Sequence, residues 1–256
     1  MSLTNEYLDK CLSLLETVRS QEDKIQRAAK WFSESILNER AVHLFGSGHS
    51  RIMVEEMWPR YGSFPGFNPI VELALTNHNN VVGANGQRQA MFLENVEGFA
   101  KRILRNFSLS PLDCALIISS SGCNIVPVEM AEEFQKNQVK VVALVSSQHL
   151  ESSISKRKDG KKLTDFADLI LDTGAPIGDS MIYIDGLETP VSPGSTVGGV
   201  MIVNSIKAEL AKLMMDAGRP PKVLTAGAIV GSEKAAELFE AAYDEHGRML
   251  GRLLSM

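Results

Sequence analysis

Short apolar runs recur along the chain, each closed by a polar or glycine-bearing break: Ala41–Phe45, Ile70–Leu75, Leu116–Ile118, Lys140–Val145 and Ala167–Asp172. Runs of this length between turn residues read as buried strands, with Glu72 interrupting the second. Elsewhere the apolar positions follow helical spacing. Leu8, Leu12, Leu15 and Val18, then Ile25, Ala28, Ala29, Phe32 and Ile36, predict two helices over residues 3–39, with their stripes turned to the sheet or to a second subunit. Ser20, with Asp23 three residues on, reads as a variant capping box opening the second. A helix over Arg51–Trp58 should stop at Pro59, which pushes the preceding residue out of helical geometry. Gln87–Leu104 reads as one helix, striped by Phe92, Val96, Phe99 and Ile103. Pro127 opens another, carrying Val128, Ala131 and Phe134.

Tyr61–Pro69 and Thr76–Gly86 (with His78, Asn79 and Asn80) read as loops. Met181–Ile184 and Leu187–Val191 flank Asp185-Gly186, which predicts an inserted hairpin. Ser195 should cap a long apolar helix to Met215, ended by Gly218 and Pro220-Pro221, and Ser232–Leu254 gives the last helix. Strands alternating with helices predict a three-layer α/β sandwich around a parallel sheet. The expected division is N-terminal helices over 1–40, the α/β domain over 41–218, and a C-terminal helical extension over 219–256.

Composition narrows the picture. A chain of 256 residues with 44% hydrophobic content can bury a full core. Its net charge of −5 argues against a general nucleic-acid binder. No run approaches the ~18 apolar residues of a membrane span, and Met1–Lys10 lacks the basic start of a signal peptide. Cys11, Cys114 and Cys123 are odd in number and far from metal-pair spacing, so reduced thiols in a cytoplasmic protein are expected. Cys123 reads as a loop filler, since the sequence pairs no base with it. Lys156–Lys162 reads as a solvated basic loop.

Two turns carry the candidate chemistry. Gly46-Ser-Gly-His-Ser50 leaves the carboxyl end of the first strand, and Ser119-Ser-Ser-Gly-Cys-Asn124 leaves the Leu116–Ile118 run. Strand exits of this kind are where α/β sheets hold ligands, and a following helix start favours an anion. Arg51 stands where a third glycine of the dinucleotide fingerprint belongs, so a nicotinamide cofactor is disfavoured. Neither a nucleophile elbow nor a lysine-bearing phosphate loop is present. One such turn alone is ordinary loop chemistry. Two of them, with three consecutive serines in the second, suit an anion wrapped by hydroxyls and N–H groups.

Together the two turns resemble the paired phosphate loops of the sugar isomerase (SIS) domain family, over roughly residues 5–215. The second is the more specific, although Asn124 stands where that family usually has Ser or Thr. The resemblance implies a flavodoxin-like five-stranded sheet, a homodimer or tetramer formed through flanking helices, and a sugar phosphate as the small-molecule partner. At matching positions Ser119, Ser120, Ser121 and Asn124 would hold the phosphate, with Ser50 and Ser47 helping.

Two branches of the family bear on catalysis. Glu55-Glu56-Met-Trp-Pro-Arg-Tyr61 is similar to the segment after the first loop of phosphoheptose isomerases, and Glu56 to Gly62 keeps the interval of the N-acetylmuramic acid 6-phosphate etherase motif. In both, the glutamate matching Glu56 does acid–base work, which needs a carboxylate near the proton with a pKa raised by burial. The bland alternative is a surface helix glutamate. The isomerase histidines are missing: Asn204 and Ser205 stand on the last domain helix, and Ile52 and Met53 precede the glutamate pair. No metal or other cofactor is therefore expected. Val96-Glu97-Gly98 matches the etherase, but its second acid falls at Ala100; Glu97 is the candidate second acid, with Glu94 as its substitute and His49 and His78 as further partners. Isomerase-like proton abstraction is the leading expectation, with a lyase or etherase and a non-catalytic phosphosugar sensor as alternatives.

Overall fold

The computed structural model describes residues 2–76 and 86–254. In chain order its elements are α1 (Leu3–Arg19), α2 (Glu22–Leu37), β1 (Val42–Gly46), α3 (Arg51–Met57), β2 (Phe67–Pro69), α4 (Leu73–Thr76), α5 (Gln87–Leu93) and α6 (Phe99–Leu104). Then come β3 (Cys114–Ile118), α7 (Ile125–Lys136), β4 (Lys140–Val145), α8 (Ser147–Ser152) and β5 (Leu169–Asp172). The hairpin strands β6 (Ser180–Ile182) and β7 (Val191–Pro193) lead to α9 (Ser195–Asp216), α10 (Gly227–Val230) and α11 (Ser232–Leu253).

β1 to β5 form one five-stranded sheet in the order β2-β1-β3-β4-β5, and every pairing is parallel. This is the flavodoxin-like order, whose connections reverse direction between β1 and β3. The strands bury both faces. Val42, Leu44, Leu116, Ile118, Val142, Leu144 and Leu171 pack with α2, α3 and α9 on one side. Phe45, Ala115, Ile117, Val141, Ala143 and Val145 pack with α6 and α7 on the other. Such two-sided burial is why these strands read as continuous apolar runs. Three layers result, as the alternation of elements implied.

At the opposite end of β1 and β3, Arg40 grips the Asp113 carboxylate with two hydrogen bonds of 2.8 Å. His43, fully buried, stands 3.5 Å from the same carboxylate. Burial alone would raise the pKa of Asp113, but His43 and Arg40 outweigh it and hold it at about 2.

Several local expectations are corrected. The second strand is Phe67–Pro69 rather than Ile70–Leu75; Leu73–Thr76 is helical. Pro69 disguised it, and proline is tolerated because β2 is an edge strand. The helix expected over Gln87–Leu104 is two, broken at Gly98, which is left-handed with φ of +78°. Phe92 accordingly lies exposed instead of joining a stripe. Along α1, Leu14 and Val18 are buried while Leu8 and Leu12 are exposed. Gln21, not Ser20, precedes α2, and no side chain caps it; the Ser20 hydroxyl donates to the Thr17 carbonyl instead. Ser195 is the first residue of α9 rather than its cap, and its hydroxyl donates to Asp179 at 2.7 Å. The hairpin turns at Asp185-Gly186, with the Leu187 N–H bonded to the Ile184 carbonyl. Its strands pair further out, Ser180 opposite Pro193 and Ile182 opposite Val191.

The basic loop is less solvated than its charge suggested. Arg157 pairs with Glu132 at 2.7 Å and with Asp159 at 2.6 Å. The Lys156 and Leu163 N–H groups bond the Cys123 and Gly122 carbonyls, so this segment buttresses the serine turn. α11 closes the far side, with Tyr243 and His246 against the Trp58 ring. Among the described residues no helix is long and apolar enough to cross a membrane.

Candidate functional site

β1 and β3 are neighbours in the sheet, so the turns leaving their carboxyl ends lie side by side. The first turn is Gly46–Ser50. A Cβ at Gly46 would stand 2.8 Å from the Ser50 carbonyl oxygen, so the turn folds this tightly only around glycine. Gly48–Ser50 adds a short 3-10 turn before α3. The second turn is pinned from behind: the Ser119 N–H donates to the Leu144 carbonyl, and the Ser146 N–H donates to the Ser120 carbonyl. Gly122 turns it with φ of +59°. Burial pushes the Cys123 thiol up, away from the reactive thiolate form.

The two turns share one cavity of about 280 Å³. Ser47, Ser50, Ser119, Ser120, Ser121 and Asn124 all line it, so the structure brings together all six residues expected to hold a phosphate. His49, His149 and part of α5 complete the walls. The Ser119 hydroxyl accepts from the Gly122 N–H at 3.3 Å, and the Ser121 hydroxyl from the Cys123 N–H at 3.4 Å. Both therefore keep their own hydrogens to donate.

Ser47 and Asn124 are already committed. Ser47 donates to one oxygen of the Glu94 carboxylate at 2.7 Å, and the Asn124 amide donates to the other at 2.8 Å. Glu94 stands just past α5, and its own carbonyl accepts from the Val126 N–H in the first turn of α7. A carboxylate from a third segment thus ties the two turns together. Burial pushes the Glu94 pKa up, against the lowering pull of Ser47, Asn124 and nearby His49. His49 Nε2 lies 3.9 Å from Asp179.

The two expected acids lie elsewhere. Glu56 lines a separate groove of about 740 Å³ with Ile52, Arg60, Tyr61 and Tyr243. Its carboxylate accepts from Asn204 at 2.8 Å and from Arg60 at 2.5 Å. Burial would raise its pKa, yet Asn204, Arg60 and Lys207 together lower it, the reverse of the expected shift. Glu97 pairs with Lys158 at 3.1 Å on the surface and lines a third, charged groove. His78, with Asn79 and Asn80, lies outside the described residues.

Residues 6–146 match the family model of the SIS domain. The chain belongs to the SIS-domain family. Within it, the chain is 31% identical to a UPF0309 protein of Listeria monocytogenes over 250 residues, 97% of this chain and 99% of that one. It is 34% identical to a UPF0309 protein of Thermoanaerobacter pseudethanolicus over 234 residues, 90% and 92% of the two chains. The fold is similar to phosphoheptose isomerase from Neisseria gonorrhoeae, with a TM-score of 0.51 at 13% identity, over 82% of this chain and 97% of that one. The Francisella tularensis phosphoheptose isomerase gives a TM-score of 0.51 at 18% identity, over 82% and 96%.

Proposed function

We propose that this SIS-domain protein binds a sugar phosphate in the cavity between the two serine turns and acts on it by proton transfer, in the manner of an aldose–ketose isomerase. The supporting observation is the convergence of both turns on one partly buried carboxylate, Glu94. The Ser119, Ser120 and Ser121 hydroxyls, with Ser50, receive the phosphate. Glu94 faces the sugar and takes the acid–base role that the family resemblance implies for Glu56 and Glu97. Glu56 is occupied by Arg60 and Asn204, and Glu97 by Lys158.

A carboxylate with a raised pKa suits the step. Glu94 removes a proton from the carbon beside the carbonyl, and the electron pair of that C–H bond becomes the C=C bond of an enediol as the carbonyl oxygen takes a proton. Returning the proton to the former carbonyl carbon, while the enediol hydroxyl on the other carbon gives its proton to water and becomes the new carbonyl, completes the isomerisation. Holding the phosphate fixes the reacting carbon against the carboxylate, which contributes several kcal/mol to lowering the barrier.

The test is deuterium exchange. Sugar phosphates are incubated with the protein in D2O, and deuterium beside the carbonyl is followed by NMR. The wild type should exchange, and Glu94→Gln should slow exchange by about 100-fold or more. Binding without exchange would leave a phosphosugar sensor and remove the catalytic half of the proposal.

A further inference from the structure

The serine turns occupy one end of the sheet, and the opposite end carries a groove of about 180 Å³ that the proposed function does not use. It lies where α2 gives way to β1, against the second half of α11, over the buried side chains of Ile36, Pro65 and Met249. Arg40, Arg219, Arg248 and Arg252 all line it, on a chain whose net charge is −5. Arg40 is neutralised by its paired bonds to Asp113. The other three are not. Arg219 donates to the carbonyl of Leu37, the last residue of α2, at 2.8 Å, and Arg252 donates to the Glu39 carbonyl at 3.2 Å. These bonds suit the negative end of α2, but a carbonyl brings no full charge to cancel a guanidinium. The Arg248 guanidinium has no hydrogen-bond or ion-pair partner among the described residues. Two carboxylates line the groove, and Glu245 is held by Lys222 at 2.9 Å. Glu39 alone is left against three guanidiniums, an excess of two positive charges.

Like charges gathered on one small groove repel, and a bound dianion relieves them. The guanidinium fork matches a phosphate in shape as well as in charge. At pH 7 a phosphate group carries about −1.5 to −2, which balances the excess. Two of the forks are already anchored to backbone carbonyls, so less side-chain freedom is lost when they take a ligand. No aromatic side chain lines the groove for a base to stack on, which favours a bare phosphate group over a nucleotide. We propose that this groove is a second anion site, separate from the serine turns, which binds one phosphate group and clamps α11 to the corner between α2 and β1. The phosphate is either the free inorganic ion or the phosphate end of a small metabolite, since both present the same oxygens.

The experiment is a calorimetric titration at pH 7 with inorganic phosphate and, separately, with a hexose 6-phosphate. Both are titrated into wild type, Ser121→Ala and Arg248→Glu. Arg248→Glu reverses a charge without breaking any bond of the described fold, so its melting temperature in phosphate-free buffer should stay within about 2 °C of the wild type. Phosphate should bind at one equivalent in Ser121→Ala, and Arg248→Glu should weaken that equivalent by about tenfold or more. Raising chloride from about 20 to about 200 mM should weaken it several-fold, because the site is exposed. Tighter binding of the inorganic ion at this equivalent would assign the groove to free phosphate, and tighter binding of the hexose phosphate would assign it to a metabolite; both uphold the proposal. Phosphate binding that Arg248→Glu leaves unchanged, or that chloride at equal ionic strength reproduces, would overturn it and reduce the arginines to caps on α2. That result leaves the phosphosugar reading intact, because binding at the serine turns is read from Ser121→Ala and not from Arg248→Glu.

Discussion

Asn124 immediately precedes α7, where an asparagine commonly caps its own helix, yet its side chain makes no such bond. Its amide instead donates to Glu94 at 2.8 Å, thirty residues earlier in the chain. The helix start is served another way, because the Val126 N–H finds the Glu94 carbonyl. One glutamate therefore joins the serine turn both through its side chain and through its backbone. An Asn124→Ala change should loosen this junction more than a surface cap would. We expect a loss of about 1–2 kcal/mol in urea denaturation, since a buried carboxylate loses a hydrogen bond.

Removal of Ser121 should act on the ligand rather than the fold. Its hydroxyl accepts only from a neighbouring N–H, so Ser121→Ala should leave the melting temperature of the free protein almost unchanged. A hydrogen bond to a charged group contributes about 1.5–3 kcal/mol, which predicts roughly ten- to a hundredfold weaker binding of sugar phosphates by titration.

The position of Gly122 is conformational. Its φ is +59°, and an added Cβ would meet the Leu150 side chain at 2.6 Å. Gly122→Ala should cost about 1–2 kcal/mol from the left-handed backbone alone, measured as a lowered denaturation midpoint, and should distort the adjoining serines enough to weaken phosphate binding as well.

Asp113 sets an acid limit on stability. Its pKa is held at about 2 in the folded protein, against about 3.9 in an unfolded chain. A depressed carboxylate contributes stability that is complete above the unfolded value and is lost as pH falls through the folded one. Asp113→Ala should cost about 3–5 kcal/mol at neutral pH, because it strands a guanidinium and a buried histidine. The difference between wild type and variant should shrink between about pH 4 and pH 2 in denaturant titrations. Glu94 has the opposite sign: its raised pKa means that folding favours its protonated form, so its charged form costs stability as pH rises through that raised value.

Much of this architecture could be read from residue order. Leu116–Ile118 is apolar throughout, and Ala41–Phe45 is apolar but for His43, because both sheet faces are covered, and the glycines and serines after them marked the turns. β2 escaped because a three-residue edge strand containing Asn68 and Pro69 lacks any run to detect. The break at Gly98 was hidden because Phe92, Val96 and Phe99 keep helical spacing across it, although Phe92 and Val96 are exposed and Phe99 packs against the core. The five cavity serines and Asn124 followed from the two turns. Glu94 entered only as a stand-in for a missing acid at Ala100. Its importance comes from bonds to residues 47 positions before it and 30 after it, and no local pattern carries such distances. The likeness around Glu56 described a sequence interval, whereas its chemistry is set by Arg60 and by Asn204, 148 residues away.

A thermal-shift comparison of sugar 6-phosphates, each beside its unphosphorylated parent, on wild type and Ser121→Ala, bears on the cavity most directly. A ligand at a hundred times its dissociation constant adds about 2.7 kcal/mol, or roughly 5–10 °C for a chain of this size. The proposal predicts such a shift with at least one phosphate, none with its parent, and a reduced shift in the variant. A flat panel, or equal shifts with and without phosphate, would contradict it.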